Sequence, residues 1–134
     1  MRRSMLCGAV AVGLAAGLAI STGAWAQAAW VAPAAEKARK NPVAHGKKAE
    51  EQGEKVAKVN CVSCHGAKGK GDGAAAAALN PKPADWTSKK VQDETDGSLF
   101  WKISNGRGAM PPWKHLPENE RWAVVHFIRS VKGK

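Results

Sequence analysis

The sequence predicts an all-α protein, and three observations carry the prediction. Apolar residues recur at helical spacing in three segments, around residues 49–57, 99–103 and 124–131. No run alternates apolar and polar residues as a half-buried strand would. Stretches dense in glycine and proline, at residues 66–73, 80–83 and 105–112, separate the helical segments from one another.

The chain opens with the features of an export signal. Arg2 and Arg3 give a positive start, and residues 6–20 form an apolar run. Ala24-Trp25-Ala26 follows as a cleavage site, so the mature chain is expected to begin at Gln27. The apolar run would span roughly 22 Å as a helix, short of a hydrocarbon core of about 30 Å. An uncleaved membrane anchor is therefore the weaker alternative, and the expected location is the periplasm. Cys7 precedes the apolar run rather than closing it, so it does not read as a lipid attachment point. Removal of residues 1–26 leaves 108 of the 134 residues, the size of one domain.

Within that mature chain, residues 27–40 are rich in Ala and Lys around Pro33 and read as a flexible arm, with the domain proper at residues 41–134. A first helix is expected from Asn41-Pro42, cap followed by first-turn proline, to about Asn60. Ala49, Gly53, Val56 and Ala57 share one face of it. Gly53 weakens that helix by about 1 kcal/mol relative to Ala, which points to close approach of another backbone there. Ala74 to Ala78 reads as a short helical turn, and Asn80-Pro81-Lys82-Pro83 as an extended segment leading to Trp86. A second helix is expected over residues 96–104, with Asp96 as N-cap, Leu99, Phe100 and Ile103 inward, and Asn105-Gly106 ending it. The last helix should begin near Pro117, with Glu118 and Glu120 in its first turn and Arg129 and Lys132 at its close, an order that complements the helix dipole. Val124, Phe127, Ile128 and Val131 form its core face, with Trp122 on the flank.

The chemistry is concentrated in Cys61-Val62-Ser63-Cys64-His65. Cys-x-x-Cys-His is the attachment signal for a c-type haem: each thiol forms a thioether with a vinyl group, and the adjacent histidine binds the iron. The competing readings are poorer. A structural zinc site wants four ligands, and the remaining cysteine lies in the export signal. His115 and His126 are too far apart for a His-x₃₋₅-His half-site. A thioredoxin-like dithiol belongs in a βαβ pattern that is absent here, and a plain disulfide leaves His65 unexplained. One such motif implies one haem. The following Gly66-Ala67-Lys68-Gly69-Lys70-Gly71-Asp72-Gly73 does not meet the phosphate-loop pattern and reads as a tight loop beside a bulky cofactor.

Met1 and Met5 depart with the export signal, which leaves Met110 as the one methionine of the mature chain. It lies in Asn105-Gly106-Arg107-Gly108-Ala109-Met110-Pro111-Pro112-Trp113, where two prolines restrict the backbone after it. Although a lone methionine commonly fills gaps in a core, this setting suits a ligand held at fixed reach. Met110 is therefore the expected second axial ligand, with His115 the runner-up and His45 and His126 further alternatives.

The whole chain has 21 Lys and Arg against 11 Asp and Glu, a formal charge of +10. After loss of Arg2 and Arg3 the mature chain keeps 19 basic residues against 11 acids, about +8. Export and the lack of a recognisable motif argue against nucleic acid as the partner. An acidic protein surface fits the charge better.

Taken together, these residues resemble the class I c-type cytochromes, the small soluble monohaem cytochromes c, over about residues 42–131. The resemblance rests on Gly53, on Cys61 to Gly66, on Gly69-Lys70-Gly71-Asp72-Gly73 and on Pro81-Lys82-Pro83-Ala84-Asp85-Trp86. It continues through residues 96–113 and residues 121–129. It implies a fold of several short helices wrapped around one covalently attached haem, with the first and last helices crossing closely at Gly53. Ala57 departs from the aromatic residue that the family often places against the last helix, a gap that Trp122 or Phe127 would fill. It also implies a proline whose carbonyl orients the proximal imidazole, for which both Pro81 and Pro83 qualify. The haem pocket would draw on Gly66, Pro81, Pro83, Trp86, Arg107, Pro111 and Trp113.

The function expected from this reading is one-electron transfer between extracytoplasmic redox partners, not enzymatic turnover. His65 and Met110 would fill both axial positions and leave no site for substrate. The partners expected are a membrane-bound reductase or oxidase, or a periplasmic dehydrogenase, with an acidic docking surface. A peroxidase-like or gas-binding enzyme is the rival and needs an open sixth position. A second rival is an electron-entry subunit held in a larger complex by the arm.

Overall fold

The computed structural model describes residues 29–134. The expected export signal, Cys7 and the cleavage site lie outside the described residues. Among the described residues six α-helices follow one another: α1 (Ala34–Lys37), α2 (Lys47–Asn60), α3 (Val62–His65), α4 (Lys89–Gln92), α5 (Asp96–Asn105) and α6 (Glu118–Ser130), with a 3₁₀ turn at Ala76–Ala78. Among the described residues there is no strand, only an isolated bridge between Arg107 and Met110. The all-α expectation is met. None of the described helices is long and apolar enough to cross a membrane.

The frame is the packing of α2 against α6, the most extensive helix contact among the described residues. Gly53 makes it possible, because a Cβ at this position would lie 2.0 Å from the Ala123 carbonyl oxygen and 3.0 Å from Phe127 Cβ. Around the crossing lie Val56, Ala57, Val124, Phe127 and Ile128, all buried. Ala57 is fully buried, in the core cluster that also holds Trp122 and Phe127 of α6. Trp122, expected on the flank, is instead fully buried. Its ring stacks on Phe100 of α5, with centroids 3.9 Å apart and planes 10° from parallel. The indole N–H finds Glu118, which lets so large an amphipathic ring enter the core.

Two helix starts differ from expectation. The first long helix begins at Lys47 after Gly46, not at Asn41-Pro42. Asn41 is used elsewhere: its Oδ1 accepts from the Val43 N–H at 3.0 Å, and its Nδ2 donates to the Trp122 carbonyl at 3.0 Å. A side chain that closes a turn over Val43 and ties it to α6 competes with helix formation at that point. The second difference is a shift of one residue, for Thr95 and not Asp96 caps α5, accepting from the Ser98 N–H. Leu99, Phe100 and Ile103 face the core as expected, and Gly106 ends the helix at φ 60°.

The part of the expected arm that is described, from residue 29, lies against α5 and carries α1. Ala32 is buried, and Lys102 sits over the Trp30 ring at 5.3 Å. Arg39 places its guanidinium 4.6 Å from the Phe100 centroid and bonds Glu118 at 2.6 Å. These contacts explain why an alanine- and lysine-rich segment takes a defined place on the domain: its few anchoring residues reach the aromatic pair at the core.

Candidate haem site

The motif residues lie where α2 ends and the single turn of α3 begins. Cys61 caps both helices, which puts Cys64 and His65 on the next turn. Cys61 and Cys64 are free thiols, each partly exposed, so both are available for covalent attachment rather than engaged with each other. Burial, followed by the neighbouring Cys64, pushes the Cys61 thiol up to about 11.

His65 is buried, and its orientation is set by a hydrogen bond. Its Nδ1 donates to the Ala84 carbonyl oxygen at 3.0 Å. Among the described residues nothing hydrogen-bonds Nε2. A carbonyl can only accept, so the bond fixes the tautomer with its proton on Nδ1 and its lone pair on Nε2, the arrangement a metal needs. Burial lowers the pKa of the ring and the bond to Ala84 opposes it, which leaves the imidazole neutral at neutral pH. The acceptor is neither Pro81 nor Pro83. Pro83 presents its carbonyl to Gly71, where a Cβ would approach it to 2.4 Å, and Pro81 is exposed. The register is set by Trp86, whose N–H donates to the Gly69 carbonyl at 2.7 Å and whose ring stacks on His65 at 4.6 Å. With Trp86 anchored in this way, the carbonyl two residues before it meets the imidazole.

The glycine-dense loop closes the other side of the motif. The N–H groups of Gly71, Gly73 and Ala75 donate to the carbonyls of His65, Cys64 and Ser63 at 2.8, 3.1 and 2.9 Å. A Cβ on residue 73 would stand 2.4 Å from the Ser63 oxygen and 2.5 Å from that of Val62. Glycine is thus required for the loop to reach the motif. The motif backbone is held from several directions, as a rigid attachment point for a prosthetic group should be.

Met110 lies half-buried on the edge of the hydrophobic core, in the loop between α5 and α6. Its N–H and carbonyl exchange hydrogen bonds with Arg107 at 3.0 and 2.8 Å. Gly106 folds tightly behind this bridge, since a Cβ there would meet the Met110 carbonyl oxygen at 2.4 Å. Arg107 and Pro111 are exposed, and Trp113 is half-buried with its N–H on the Ile103 carbonyl. The competing histidines fare differently. His126 is buried and donates from Nε2 to the Val43 carbonyl at 2.8 Å. His45 is exposed beside Glu50, and His115 is exposed near Trp113.

Paired free thiols, a neutral buried imidazole with its distal nitrogen unengaged, and a thioether on an apolar edge form a donor set that fits haem c. Residues 48–128 match the family described as Cytochrome C oxidase, cbb3-type, subunit III. The chain belongs to this family of c-type cytochrome domains. It is a class I c-type cytochrome, with covalently attached haem c and haem-based electron transfer. No curated protein sequence matches it. Among solved structures it is similar to a chain of the Kuenenia stuttgartiensis reducing HAO-like protein complex Kustc0457/Kustc0458, at 27% identity and a TM-score of 0.60. That match covers 68% of the cytochrome and 47% of the other chain, so the cytochrome spans about half of that chain's length.

The sequence reading missed two contributors. Ala84 acts through a backbone carbonyl, which no side-chain identity announces. Arg121 bonds Ser104 and Leu116 on either side of the Met110 loop, and in the sequence it is one more surface-type charge on an amphipathic helix.

Proposed function

We propose that this cytochrome is an extracytoplasmic one-electron carrier whose iron is ligated by His65 and Met110, with Cys61 and Cys64 as the attachment points. When bound, haem c supplies a one-electron iron couple. The chain's own residues do the rest. The Ala84 carbonyl holds the His65 tautomer, and Trp86 covers one face of the imidazole and keeps water from it. Met110 offers a soft sulfur donor, which favours the reduced state more than a second imidazole would. The observation that carries this reading is the hydrogen bond from His65 Nδ1 to Ala84, because it leaves Nε2 with a free lone pair. The engagement of His126 with Val43 supports Met110 over that histidine.

Two filled axial positions favour a carrier over an enzyme. The basic surface favours encounter with an acidic redox partner, a membrane-bound reductase or oxidase or a periplasmic dehydrogenase. The family description names an oxidase subunit, which supports a second reading: residence in a larger redox assembly. The test is an absorption spectrum and redox titration of the purified haem-loaded protein. The expected result is a six-coordinate low-spin haem with far-red sulfur-to-iron absorption when oxidised, and no binding of carbon monoxide by the ferrous form. A high-spin spectrum with ready carbon monoxide binding would sink the carrier reading. Co-purification that survives high salt would favour the assembly.

A further inference from the structure

Arg121 of α6 fastens both ends of the segment that carries Met110. Its Nε–H donates to the Leu116 carbonyl at 3.2 Å, just before α6 begins. Its Nη1 bonds the hydroxyl of Ser104, in the last turn of α5. That hydroxyl is buried and donates in turn to the Phe100 carbonyl at 2.8 Å. The guanidinium carbon also lies 4.7 Å from the centre of the Phe100 ring. One side chain thus spans residues 104 and 116, with the Met110 loop between them.

The loop has few other fastenings. Among the described residues Met110 is hydrogen-bonded only to Arg107, a member of the same loop. Among the described residues the backbone of the loop bonds the body of the protein through the Gly106 N–H on the Lys102 carbonyl, at its start, and through the Trp113 N–H on the Ile103 carbonyl. Without Arg121 the loop would keep its internal bridge and be held by these two bonds and by the packing of Met110, Trp113 and Leu116 against the core.

We propose that Arg121 is the positioning residue for the sixth iron ligand, keeping the Met110 loop closed so that the thioether stays within reach of the metal. This rests on the reading of Met110 as ligand. The role needs arginine, because one planar group must donate in two directions while lying against an aromatic face. Lysine brings the charge but not the fork. Arg129, on the same helix, provides a matched comparison. It bonds Asp96 at 2.9 Å and the carbonyls of Gln92 and Glu94, all remote from residues 105–117 in sequence.

The test is titration of the oxidised, haem-loaded protein with imidazole, read together with the far-red sulfur-to-iron absorption. Imidazole can bind only when Met110 is away, so its apparent affinity reports the fraction of open loop. Arg121→Lys should raise that affinity roughly tenfold or more, the effect of losing a charged hydrogen bond, and weaken the far-red absorption. Ser104→Ala removes one of the two polar contacts and should give a smaller gain in the same direction, even if Arg121→Lys does not accumulate. Arg129→Lys should leave both readouts within about twofold of the wild type. Equal gains for Arg121→Lys and Arg129→Lys would indicate general loosening and overturn the proposal. An intact wild-type band with no response to Arg121→Lys or Ser104→Ala overturns it alone. A wild-type band that is missing, or that survives Met110→Ala, overturns the Met110 reading and the proposal with it.

Discussion

Gly53 and Ala123 meet so closely that a single methyl group at residue 53 would stand 2.0 Å from the Ala123 carbonyl oxygen. The obstacle is backbone, so no side-chain rotation relieves it and the two helices must separate. Gly53→Ala gains about 1 kcal/mol of helix propensity. Overpacking costs roughly 1–3 kcal/mol and more where backbone must move, so the clash should win. Chemical denaturation of the haem-loaded protein should show a net loss of stability. An equal or higher midpoint would mean that the crossing is looser than described.

Covalent attachment is predicted at both Cys61 and Cys64, because both are free and partly exposed on adjoining turns. Acid-acetone extraction should leave the haem on the chain, and the mature mass should include one haem. Cys61→Ala or Cys64→Ala should each reduce maturation, and the double variant should carry no covalent haem. Full haem retention in the double variant would refute the assignment.

Met110→His should preserve six-coordinate, low-spin iron but lower its potential by on the order of 100 mV, well within the roughly 0.8 V range over which axial ligands act. Met110→Ala should open the site and confer carbon monoxide binding that the wild type lacks. An unchanged potential in Met110→His, with far-red absorption retained, would place the ligand elsewhere.

Encounter with an acidic redox partner should be electrostatically steered. The mature chain's surplus of about eight positive charges follows from 19 basic residues against 11 acids. At physiological salt, charges more than about 8 Å apart are largely screened. Bimolecular electron-transfer rates should fall on the order of tenfold as salt rises from low to physiological, while the potential moves little. Flat rates with every acidic acceptor would make the basic residues a solubilising surface only.

The parts of the fold that were legible in the sequence are those where one local signal decides the outcome. The apolar stripe of Val124, Phe127, Ile128 and Val131 could face only a core, and Gly53 in a helix could be explained only by a close neighbour. The Cys-x-x-Cys-His run needed no tertiary context to suggest its chemistry. What the sequence did not reveal depends on partners distant along the chain. Asn41 looked like a helix cap because the pull of the Trp122 carbonyl, 81 residues away, is invisible locally. Trp122 looked like a flank residue because its stacking partner Phe100 lies on another helix. The carbonyl of Ala84 was hidden for a different reason: every residue has one, and only the anchoring of Trp86 decides which of them meets His65.

The docking of residues 29–40 on α5 has a practical consequence for anyone cutting this gene. A fragment trimmed to residues 48–128, the span of family similarity, would lose Arg39 from the face of Phe100 and Asn41 from α6. It would also lose Val131 at the far end, a residue with only 5% of its surface exposed. Such a fragment would present bare aromatic surface to solvent and invite aggregation. The smallest piece worth expressing starts upstream of Trp30 and runs beyond Val131.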